Sequence, residues 1–177
     1  NIGNEGIKTY DSYTKLLLRS YSGVASSTVF TDSMGNTLTS NESVNTDTAQ
    51  KKFGNSSVFL DTTSDYLTVA STTDFGFGTG AFTIDGWVRI TGEDENRTIY
   101  SYGGSNVGFV LAIDNTSHLN IYTPASYKIT DATALAKDTW YHFALVGNGG
   151  AVGSRNWKLY KDGVQVGSTY TNNYNIQ

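Results

Sequence analysis

The chain has 177 residues, enough for one domain with its own core. It has no cysteine, which excludes disulfides, thiolate metal centres and cysteine nucleophiles. A net charge of −4 offers no basic stripe for nucleic acid or an acidic membrane surface. With 16% charged residues, 19 glycines, 12 tyrosines and one proline, the composition speaks against a long helical bundle and for strands joined by polar turns.

In chain order, residues 1–15 are polar and aperiodic and read as a lead-in segment or linker; residues 16–177 read as a single domain. LLLRSYSG (16–23) is a first short strand, and VFTDSMGN (29–36) ends in a turn signal carried by Asp32, Ser33, Gly35 and Asn36. SVFLD (57–61) and DYLTVA (65–70) are short strands, the second with period-2 alternation. AFTIDGWVRI (81–90) puts Phe82, Ile84 and Gly86 on one side and Thr83, Asp85 and Trp87 on the other. GEDENR (92–97) is a charged loop, after which strands resume in TIYSYGG, VGFVLAID, HLNIYT, KIT and WYHFALV. TDATALAKD (130–138) has room for one helical turn. NWKLYKDGVQVGS (156–168) is a hairpin whose Asp162-Gly163 pair suits a type I′ turn. Strands every 10 to 15 residues, with no helical period, predict an all-β antiparallel sandwich or jelly roll. No apolar run approaches the roughly 20 residues of a membrane-crossing helix.

Four stretches in order carry a resemblance: FGNSSVFLDTTSDYLTV (53–69), GAFTIDGWVR (80–89), DTWYHFALV (138–146) and LYKDGVQVGS (159–168). Together they resemble the laminin-G-like, concanavalin A-like lectin/glucanase jelly roll. The phrase DTAQKKFGNSS leading into FGFGTGAFTI is most similar to versions in bacteriophage virion proteins, tail fibres especially, and in bacterial surface proteins. The resemblance implies that Trp87, Trp140 and Trp157 are structural aromatics, in the core or partly buried, and that His142, in Trp-x-His, is a packing residue. It also implies one or two closing strands that this chain lacks, supplied by a longer protein or by a neighbouring subunit.

The inventory of chemistry is thin. Glu93, Asp94 and Glu95 are consecutive and read as a solvated turn, not as the paired carboxylates of a glycosidase. No nucleophile elbow and no phosphate-cradling loop occurs, and two histidines make zinc improbable. Calcium takes hard oxygen ligands from loops: Asp32 and Asn36 are the first candidates, and Asp114 and Asn115 are a second pair. An Asx-turn is the plain alternative for Asp32 and Asn36. Carbohydrate binding needs exposed rings beside amides, and Tyr100, Tyr102, Asn106 and Tyr122 are the candidates. Sequons at Asn41, Asn55, Asn96 and Asn115 matter only in a eukaryotic secretory setting.

The expectation is therefore a non-enzymatic binding or structural module of a phage virion or fibre, located on a virion or extracellular surface. Its partners would be surface glycans or other virion subunits, including copies of itself, with neither nucleic acid nor membrane insertion. Two alternatives stay open: an extracellular glycoside hydrolase or lyase on the same fold, and a bacterial cell-surface adhesin domain.

Overall fold

The computed structural model describes residues 10–19, 23–70, 73–103, 108–123 and 126–172. These form antiparallel strands throughout, with one 3-10 turn, Thr73–Phe75, and no α-helix among the described residues. The expected all-β architecture is what is found. The chain divides into two compact units, Asn1–Asp74 and Phe75–Gln177.

The first unit is built from two-stranded ladders. Strand β1 (Leu18–Arg19) pairs with β2 (Thr31–Asp32), β3 (Leu38–Asn41) with β6 (Tyr66–Val69), and β4 (Asn45–Asp47) with β5 (Ser57–Phe59). Its buried apolar side chain among the described residues is Val44, whereas Val24, Val29 and Phe53 are exposed. Polar bonds knit it instead. Thr46 exchanges backbone bonds with Ser26 and Ser27, and its hydroxyl donates to the Val24 carbonyl (2.6 Å).

The second unit is a sandwich with a true apolar core. One sheet has the order β11-β10-β9-β8: Ser126–Thr130, Leu119–Thr123, Phe109–Ile113 and Arg97–Tyr102. The other has the order β14-β13-β12-β7: Val164–Asn172, Arg155–Lys161, Trp140–Asn148 and Ala81–Arg89. Alternating side chains from both sheets meet between them. Phe109, Leu111, Ile113, Leu119 and Ile121 come from the first; Phe143, Leu145, Trp157 and Leu159 come from the second. Strand β12 lies between β13 and β7, the interior position its two apolar faces suggest. The β13–β14 hairpin turns at Asp162 and Gly163 with φ of 48° and 81°, both positive as a type I′ turn requires.

Two glycines on facing strands serve this packing. Gly86 lies opposite Phe143 and Gly147 opposite Phe82. A Cβ on Gly147 would come within 2.3 Å of the Phe82 ring, and one on Gly86 within 2.9 Å of Phe143. Each missing side chain is thus the space a phenyl ring occupies.

Segment 131–138 corrects one expectation: it forms bends and a turn, not a helical turn. Tertiary bonds hold it more firmly than a single helical turn could hold itself. Lys161 pairs with Asp131 and donates to the Thr133 carbonyl, Leu135 N–H donates to Ser117, and the Leu135 side chain is buried.

Replacing Gly147 with alanine should destabilise the sandwich by about 1–3 kcal/mol, the range for overpacking a filled core. Urea denaturation followed by tryptophan fluorescence checks this, Trp157 being buried at the centre.

Candidate functional site

Strand alternation is broken at two places in the β8–β11 sheet, and the breaks decide which tyrosines face solvent. In β8, Thr98 lies opposite Ala112 but Tyr100 lies opposite Leu111, so Ile99 is an extra residue. Without that bulge Tyr100 would share the outward face of Thr98. With it, Tyr100 and Tyr102 turn inward and pack against the core, their rings 5.7 Å from Phe109 and 6.1 Å from Phe77. Burial, reinforced by Tyr102, pushes the Tyr100 hydroxyl up to about 12. Tyr100 and Tyr102, expected as ligand-facing rings, are thus half-buried and packed against the core.

In β11 the reverse happens. Ile121 lies opposite Ile129 and Tyr122 opposite Tyr127, which makes Lys128 the extra residue. Ile129 points into the core, so plain alternation would have sent Tyr127 inward as well. The bulge sends it outward beside Tyr122. The two rings meet edge to face at 5.4 Å, and the side chains are 39% (Tyr122) and 55% (Tyr127) exposed. Ser101 and Val110 continue the row across the sheet. Of the four tyrosine and asparagine candidates, only Tyr122 is an exposed ring; Asn106 lies outside the described residues.

The three tryptophans do not share one environment. Trp157 is buried, Trp140 is half-buried, and Trp87, 36% exposed, is partly buried on the outer face of β7. Phe82, Ile84 and Val88 take the inward positions of that strand. His142 faces Trp87 directly across the β7–β12 ladder, ring centroids 5.4 Å apart. Its backbone is the anchored part: the N–H donates to Asp162 Oδ1 (2.8 Å) and the carbonyl accepts from Asp162 N–H (2.9 Å).

The acidic candidates are turn-builders. Asp32 Oδ1 accepts from Leu17 N–H, and Oδ2 accepts from the backbone and side-chain amides of Asn36. Partial desolvation works against it, yet these donors hold the Asp32 carboxyl below its usual range. Asp32 thus closes the turn, with the Met34 N–H two residues on and Asn36 among its donors, and also holds Leu17 ahead of β1. Asp114 does the same for the β9–β10 turn, accepting from Thr116 and His118 N–H, while Asn115 N–H donates to Asn96. Among the described residues no group of three or more His, Asp or Glu side chains comes together to hold a metal ion.

Loop 92–97 is latched from within. The Arg97 guanidinium donates to the Thr91, Glu93 and Glu95 carbonyls, and Asp94 pairs with Lys137 at 3.1 Å. That bond and the Lys137 charge lower the Asp94 carboxyl. The three consecutive acids therefore belong to a built loop, as their spacing suggests.

A stronger pKa shift, which the sequence does not advertise, belongs to Asp65. Despite some desolvation, donors from Ser43, Asp61 and Thr62 bring its carboxyl far below the ordinary 3.8. A depressed carboxylate stabilises the fold above its unfolded pKa, and that contribution fades as pH falls toward the folded value. Asp65→Asn should therefore lower stability at pH 7, and the gap to the unsubstituted protein should narrow below pH 3.8. Urea midpoints at pH 7 and pH 2.5 measure this.

A family model described as Concanavalin A-like lectin/glucanases superfamily, of laminin-G type, matches residues 61–177. No curated protein and no solved structure matches the chain significantly.

Proposed function

Because this chain belongs to the concanavalin A-like lectin/glucanases superfamily, we propose that it is a non-enzymatic module that binds surface glycans through the outer face of its β8–β11 sheet. The observation that carries the reading is the Tyr122–Tyr127 pair, two rings that a bulge brings out together on one surface. A tyrosine ring covers the apolar C–H face of a pyranose, and its hydroxyl reaches the sugar's own hydroxyls. Two adjoining rings fit a chain of sugars better than an isolated one. The fold alone would serve cleavage as readily as binding, so the reading rests on this face.

The setting we infer is a bacteriophage virion or fibre, with the module at the particle surface meeting host glycans or neighbouring subunits. The similarity of DTAQKKFGNSS and FGFGTGAFTI to virion proteins supports that setting. A bacterial surface adhesin would use the same face in the same way.

Glycan-array screening followed by calorimetry tests the reading. Tyr122→Ala and Tyr127→Ala should each weaken binding to a glycan found on the array about tenfold or more, equivalent to about 1.4 kcal/mol. Thermal stability should change little, because both side chains are exposed. Prolonged incubation should release no new reducing ends. Unchanged affinity in the double variant would remove this face from the account, and released sugar would make the module an enzyme.

A further inference from the structure

The outer face of the opposite sheet carries a different set of groups. Register places Trp87 beside His142, and Asp85 beside Ala144, which in turn lies beside Tyr160. The inward positions of these strands belong to Phe82, Ile84, Phe143, Leu145 and Leu159, so the first set points away from the core. The His142 ring meets the Trp87 indole at 61°, edge against face, which props the indole in one orientation. Asp85 Oδ2 stands 3.6 Å from His142 Nε2, and its side chain remains 60% exposed.

Ala144 contributes a single methyl between larger neighbours. Its row spans three strands, so the Asp85 and Tyr160 backbones are about 10 Å apart across it. The single methyl of Ala144 leaves room for a sugar ring to lie on this row, with an indole at one side and a carboxylate at its edge. Asp85 is the charge beside the indole; the exposed Lys158 stands on the same outer face one row beyond Ala144, on the side away from Trp87. The Asp85 carboxylate attracts an amino group and accepts hydrogen bonds from it, and it repels a uronic or sialic acid placed at the Trp87 side of the row.

We propose that Asp85, Trp87 and His142, around Ala144, form a second glycan-binding face that takes an amino-sugar unit. The two outer faces of a sandwich point in opposite directions, so one module would join two glycan strands. The amino-sugar class rests on the glycan-binding reading given above; the placement of the face does not. In the roles assigned, Trp87 covers the sugar's C–H face, Asp85 accepts from its amino group, and His142 holds the indole. None of these residues touches Tyr122 or Tyr127, which lie on the other sheet.

The test is calorimetry and tryptophan-fluorescence titration of the whole chain with glucosamine tetramer, N-acetylglucosamine tetramer and galacturonic acid tetramer. Three variants are compared with the unsubstituted chain: Trp87→Ala, Asp85→Asn, and Tyr122→Ala with Tyr127→Ala. The expected result is that the double tyrosine variant still binds glucosamine tetramer with one site per chain and a fluorescence change. Trp87→Ala should lose that site, and Trp87→Phe should recover part of it. Asp85→Asn should weaken glucosamine tetramer about tenfold or more and N-acetylglucosamine tetramer less, a preference that a merely structural Asp85 would not produce.

Three results overturn the proposal. Loss of all binding in the double tyrosine variant leaves one face only, and the function proposed above stands. Equal binding of galacturonic acid tetramer at the Trp87 face removes the charge argument. Unchanged binding in a folded Trp87→Ala variant removes the face itself. If instead Trp87→Ala abolishes all binding and the tyrosine variant none, the second face stands and the first falls.

Discussion

A β-strand offers its side chains alternately to two faces, and the surface chemistry of this molecule follows from where that rule is kept and where one extra residue breaks it. In the sandwich, β9, β12 and β13 keep it over their paired lengths, and Leu111, Leu145 and Leu159 are fully buried as a result. In β8 and β11 a single inserted residue resets it. The insertion in β8 adds Tyr100 and Tyr102 to the aromatic packing around Phe109. The insertion in β11 subtracts Tyr127 from the interior and stands it beside Tyr122. Two bulges thus set three tyrosines, two toward the core and one on the surface beside Tyr122.

The first unit is held on different terms. Its ladders are short, its interior contributes Val44, and carboxylates organise its turns. Asp32, at the end of β2, ties the residue before β1 to the turn that follows β2, and Asp65 gathers N–H groups from Ser43, Asp61 and Thr62. Short hairpins with few buried apolar groups gain little from the hydrophobic effect, so such polar knots contribute a larger share of local order.

Much of the fold was legible in the sequence because strand period and turn chemistry are local signals. AFTIDGWVRI alternates in the structure as it does on paper, and Asp162-Gly163 turns where the dipeptide says it should. Segment 130–138 was not legible: its shape depends on Lys161 and Ser117, which are distant in sequence. The tyrosine site was legible only in part. Tyr122 is marked by alternation, but Tyr127 and the inward turn of Tyr100 depend on bulges, which leave no composition signal in KIT or TIY. Trp87 was visible on the outer side of its strand, and the structure leaves it there, partly buried. His142, which looks like chemistry in isolation, owes its anchoring to backbone bonds with Asp162, while its ring supports Trp87 on the surface.

Residue-resolved tyrosine nitration, with modified peptides quantified by mass spectrometry over a time course in the folded state, tests the bulge-sorted arrangement most directly. The account predicts that Tyr122 and Tyr127 react early and together, with Tyr100 and Tyr102 protected until the sandwich unfolds. Early reaction at Tyr100 and Tyr102 with protection of Tyr127 would mean that the strands keep simple alternation, and the exposed pair on which the binding face depends would not exist.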